Sequence, residues 1–161
     1  MFITLIAATL IQSAAPGAWL VDDETSALDG KRSVMIGVES ETPLLNAINR
    51  PEKAMLSISC IDGKRGVTII WPTYLGNDEA YVDWKIGDGE IRSEPFYVRG
   101  TKVATITGRS ADRFLGEMDA EGRAVLRVNA YRNVQEATFD LTGAGAQLAT
   151  VREVCPDRRG R

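Results

Sequence analysis

The chain has 161 residues, 22 acidic against 19 basic side chains and no histidine. That length suits one domain with an ordinary core, and a net charge of −3, with acids and bases interleaved, excludes the basic footprint of a nucleic-acid binder. Without histidine the commonest general base and metal ligand is missing, and two thiols alone do not make a zinc site.

The first eighteen residues, MFITLIAATLIQSAAPGA, carry no charged side chain. An apolar run from Phe2 to Ile11, followed by the small residues Ala14, Ala15, Gly17 and Ala18, has the form of a secretory signal peptide cut after Ala14 or Ala18. The run falls short of the ~20 apolar residues that span a bilayer, and no cysteine follows it, so neither a membrane span nor a lipid anchor is expected after cleavage. The expected organisation is a signal peptide over 1–18, a single β-rich domain over 19–156 and a flexible tail over 157–161 beyond Pro156. A first core strand is the alternative for the opening segment. The expected location is periplasmic or secreted.

Period-two alternation then runs through the chain, as strands with one buried and one wet face require. Val34, Ile36 and Val38 share a face. Leu56, Ile58 and Cys60 share the next, with Ser57 and Ser59 opposite. Val67, Ile69 and Trp71 alternate with Thr68 and Ile70 until Pro72, which has no N–H for a ladder. Val82, Trp84 and Ile86 then alternate with Tyr81, Asp83 and Lys85. Residues 69–90 are therefore expected to form one hairpin with both tryptophans in the core. Its turn leaves Tyr74 and Leu75, which are expected to fold back as a lid over the end of the sheet; the alternative is an exposed tip, with Tyr74, Leu75 and Asn77 as the candidate partner contact.

Further along, Ser110 is the expected cap of a short helix carrying Ala111, Phe114, Leu115 and Met118 at i, i+3, i+4 and i+7. The acids Glu117, Asp119 and Glu121 before Gly122 imitate the start of a calcium loop. The twelfth position, where a bidentate glutamate is needed, falls on Val128 inside a strand, so a polar turn is expected. Leu126 and Val128, then Ala137, Phe139 and Leu141, continue the alternation. Thr142 is the expected cap of a second helix with Ala144, Leu148 and Val151 on one stripe.

Cys60 and Cys155 are expected to pair, because an even cysteine count in an exported chain argues for a disulfide. The bridge would pin the C-terminal helix to the inner face of an early strand. The expected fold is mainly β: an antiparallel β-sandwich or curled sheet with two short helices, the second held by the disulfide. No catalytic residue, metal site or cofactor is assigned. A carboxylate pair acting on a sugar would need two acids ~5–10 Å apart, and sequence selects none.

Several of these pieces together resemble the type VI secretion system-associated family TagO/VasI. They are Ser26-Ala27-Leu28-Asp29, Leu56-Ser57-Ile58-Ser59-Cys60, Ile70-Trp71-Pro72-Thr73-Tyr74-Leu75-Gly76, Val82-Asp83-Trp84-Lys85-Ile86-Gly87-Asp88-Gly89, Ala137-Thr138-Phe139-Asp140-Leu141-Thr142-Gly143 and Val151-Arg152-Glu153-Val154-Cys155. The chain departs from the family's pattern at Gly30, at Gly87 and at Phe96, where a tryptophan is usual. The resemblance implies a non-enzymatic periplasmic accessory protein of the cell envelope that binds a protein partner, such as a component of a secretion system's membrane complex. It brings no nucleic-acid role. The alternatives are a periplasmic inhibitor of a cell-wall hydrolase, a prophage-borne envelope protein, and a carboxylate-based enzyme acting on peptidoglycan.

Overall fold

A computed structural model of the chain describes residues 18–119, 122–130 and 133–156. The expected signal peptide, apart from Ala18, and the expected tail lie outside the described residues. Nine strands form one antiparallel sheet: β1 (Leu20–Thr25), β2 (Arg32–Glu39), β5 (Met55–Ile61), β6 (Lys64–Ile70), β7 (Glu79–Ile86), β8 (Arg92–Arg99), β9 (Val103–Thr107), β10 (Arg123–Asn129) and β11 (Val134–Asp140). Across the sheet their order is β1-β2-β5-β6-β9-β8-β7-β10-β11. A two-residue ladder joins β3 (Leu44–Leu45) to β4 (Pro51–Glu52). The helices are α1 (Gly108–Met118) and α2 (Ala144–Val154).

The alternation in the sequence is the alternation of faces. Val34, Ile36 and Val38, Leu56, Ile58 and Cys60, Val67 and Ile69, and Val82, Trp84 and Ile86 all turn inward and are buried. Trp71, just past β6, is buried with them. The helices cover this inner face, α1 over β6 and β9 and α2 over β2 and β5. Ala111, Phe114, Leu115 and Met118 of α1, and Ala144, Leu148 and Val151 of α2, complete the core. Phe114 meets Trp84 with ring centroids 4.8 Å apart and planes tilted by 58°, a geometry that favours aromatic contact beyond area alone.

The sheet is curled. The segment after β2 reaches the far end of the sheet, where the Glu41 N–H donates to the Thr138 carbonyl at 2.8 Å. Arg123 of β10 donates to Glu41 at 3.0 Å in the same place.

Three sequence expectations change. The stretch 69–90 is not one hairpin, because β9 and β8 lie between β6 and β7. Residues 71–78 instead cross the end of the β8–β9 hairpin. They are tied to it by Trp71 N–H to Lys102 O, Leu75 N–H to Thr101 O and Val98 N–H to Asp78 O, at 2.8–2.9 Å. Three strand spacings are only about 14 Å, well within the reach of eight residues, so Gly76-Asn77-Asp78 serves a crossover as readily as a turn.

The helix caps also differ. Thr107, not Ser110, precedes α1, and Gly143 in the left-handed region (φ 81°) precedes α2. Thr142 is diverted: its hydroxyl and its N–H both donate to Asp140 Oδ1, at 2.7 and 2.9 Å.

The Cys60–Cys155 disulfide is present, with a Cα–Cα distance of 5.8 Å and both cysteines buried. It closes a loop of 95 residues, for which the chain-entropy model gives about 4–5 kcal/mol. Cys60→Ser or Cys155→Ser should each lower unfolding free energy by a few kcal/mol under oxidising conditions. Urea melts of reduced and oxidised wild type should differ by a similar amount, and coincident curves would mean that the bridge adds nothing.

Candidate functional site

The residues singled out at the 71–78 crossover separate on inspection. Leu75 is 6% exposed and belongs to the core, so it acts as the lid. Thr73 is buried beside it. Tyr74 stands at the boundary of exposure and donates its hydroxyl to Asn77 Oδ1 at 2.7 Å. The exposed side chains of the crossover are thereby Tyr74, Asn77 and Asp78. Leu75→Ala should cost about 2–4 kcal/mol, as core truncations do, whereas Tyr74→Ala should cost about 1 kcal/mol or less. Thermal melts of the two variants would separate them.

Four acids of the second half are engaged around α1. Arg113 pairs with Glu94 at 2.6 Å, Arg92 with Glu117 at 2.6 Å, Arg65 with Asp112 at 2.8 Å and Arg152 with Asp119 at 2.6 Å. Arg92 also lies 5.9 Å from the Trp84 ring centre. The pairs join α1 or its C-terminal end to three neighbours, to β8 twice and to β6 and α2 once each. Glu117 and Asp119, which suggested a calcium loop, are thus occupied as structural ion pairs, while Glu121 lies outside the described residues.

The outer face over β8, β7, β10 and β11 is built differently. Positions that alternate with the core project here, and the register sets them side by side. Tyr81 stands opposite Pro95, Asp83 opposite Ser93 and Arg127, and Arg127 opposite Glu136; Lys85 stands opposite Val125. Tyr81 and Tyr97 are exposed at 62% and 61%. Next to Tyr81 an open groove of about 170 Å³ is lined by Asp83, Trp84, Lys85, Val125, Arg127 and Glu136, with Ile91 from the turn before β8, while Tyr97, opposite Glu79, stands farther along the same face. Arg127 donates to Asp83 Oδ2 through Nη2 at 2.8 Å and Nε at 3.3 Å.

Those bonds, with a further one from Ser93, hold the Asp83 carboxyl below its ordinary value. The same contact raises the Arg127 guanidinium. A carboxylate depressed in the folded state stabilises above the unfolded value, near pH 4, and loses that contribution as pH falls through the folded one. Asp83→Asn should therefore flatten the loss of stability below about pH 4, seen as a shallower acid limb in midpoint-versus-pH curves. An unchanged acid limb would show that the pair is too solvated to matter.

Nothing in the sequence singled out Tyr97. Tyr81, Asp83 and Lys85 were legible as the wet face of a strand, but their pairing with β10 was not.

No protein-family model matches the sequence, and no curated protein does. Among solved structures, one titled "Crystal structure of invasion associated protein b from bartonella henselae" is similar, with a TM-score of 0.59 and 13% identity. The match covers 87% of this chain and 94% of that one. At that identity the likeness carries the fold alone, and the fold it supports is the curled sheet with its two helices.

Proposed function

We propose that this chain is an exported, non-enzymatic accessory protein of the cell envelope that binds a protein partner through the outer face around Tyr81 and Tyr97. The observation that carries the reading is that face itself. Two tyrosines stand exposed on the same sheet face as a groove of mixed charge, and aromatic residues of this kind are enriched in protein interfaces. The buried disulfide supports an oxidising, extracytoplasmic compartment. The resemblance to the TagO/VasI family supports an accessory role beside a type VI secretion system, with the periplasm as the working location.

A photo-crosslinking residue placed at Tyr81 or Tyr97 in cells should form an adduct with a defined envelope protein. The same residue at Leu28, which is 96% exposed, should not. Fractionation of those cells should place the chain outside the cytoplasm with both thiols protected from alkylation. A reduced cytoplasmic chain, or adducts that do not depend on position, would overturn the proposal. Turnover of purified peptidoglycan by the isolated protein would overturn its non-enzymatic part.

A further inference from the structure

The groove over β7, β10 and β11 has a charge order that follows from its register. On one row Asp83 and Arg127 neutralise each other, with Glu136 beyond Arg127. On the adjacent row Lys85 stands opposite Val125. Lys85 is half-buried, and among the described residues no carboxylate lies within ion-pair distance of its ammonium. A cation with no counter-charge beside it gains from an incoming anion, and charge-assisted hydrogen bonds are the stronger kind.

Glu136, exposed and two strands from Lys85, is an acceptor at the other side; two strand spacings are about 10 Å. Val125, directly opposite Lys85, gives the groove an apolar floor on that row, and Ile91, which is 70% exposed, adds to the lining. Lys85 and Glu136 therefore stand at diagonal corners of the groove, Lys85 beside Val125 and Glu136 beside Arg127.

We propose that this groove holds the C-terminal end of a protein partner. The terminal carboxylate accepts from Lys85 Nζ, the last side chain, small and apolar, lies over Val125 against Ile91, and the preceding peptide N–H donates to Glu136. Two extended residues reach about 7 Å, which the side chains of Lys85 and Glu136 close from either side. The volume of about 170 Å³ suits a chain end and is too small for ligands that need roughly 300 Å³ or more. Recognition of a free chain terminus is an established mode of peptide binding. The inference rests on the binding reading of this face and narrows it to one chemical group.

The test is an amide-resonance titration of the oxidised protein with acetyl-L-alanyl-L-valine, its C-terminal amide and acetyl-D-alanyl-D-alanine. The free L-acid should shift residues 83–91 and 125–136 and bind at least about tenfold more tightly than the amide. Lys85→Met should erase that preference and Lys85→Arg should restore it, with both variants keeping the wild-type spectrum elsewhere. Equal binding of acid and amide, no saturable shift with any probe, or an unaffected Lys85→Met variant would overturn the proposal. Tighter binding of the D-peptide would overturn the protein partner in favour of cell-wall peptides. If Tyr97 still cross-links to an envelope protein while the peptides fail, only the carboxylate subsite falls; if both fail, the binding face falls with it.

Discussion

The architecture depends on keeping one face of a long antiparallel sheet dry. Ile36, Leu56, Ile58, Val67, Ile69, Val82 and Trp84 all point to that face and are buried, and a sheet of this width cannot bury it by curling alone. The two helices supply the cover, and they are unequal. α1 brings Phe114 and Met118 and is ringed by arginine–carboxylate pairs to β8, β6 and α2. α2 starts after a left-handed glycine and contains another, Gly145, which lowers its intrinsic helicity. Its packing on β2 and β5 is secured covalently by Cys155 on Cys60. The weaker helix carries the stronger tether.

This division of labour leaves the outer face without a helix to hold. The core takes alternate residues of β7, β8 and β10, and the intervening residues meet across strands to form the groove and its flanking tyrosines. The inner arginines hold helices; on the outer face Arg127 holds a carboxylate on its own sheet, and Lys85 pairs with no carboxylate among the described residues. Scaffold and surface are thus separable by face, which is why substitutions at Tyr81, Tyr97 or Lys85 are useful probes where those at Leu75 or Trp84 are not.

Much of the fold was legible from periodicity. Alternation assigned the inner faces of β2, β5, β6, β7, β10 and β11, and spacing at three and four residues found both helical stripes. The cysteine pair followed from count and compartment. Strand order was not legible, because Gly76-Asn77-Asp78 reads as a hairpin turn from local chemistry, and only tertiary pairing shows that β9 and β8 intervene. The caps failed for a similar reason: Thr142, whose hydroxyl would have had to accept from the first N–H groups of the helix, turns instead to donate to Asp140. Of the residues first offered as a contact, Leu75 was captured by the core, since an apolar side chain in a crossover over the sheet end has a buried position within reach. The face around Tyr97 could not be inferred because it exists only once four strands are in register.

The crossover has a consequence for the order of events along the chain. β6 pairs with β5 on one side, but its other neighbour, β9, is separated from it by the whole of the crossover, β7 and β8. A chain emerging from its N-terminus therefore carries β6 as a provisional edge, with Thr68 and Ile70 beside unpaired backbone, until Val103–Thr107 arrives to fill it. An edge of that kind is open to any other extended segment in the meantime. The native strand order is, in this sense, a race that β9 has to win against intermolecular pairing.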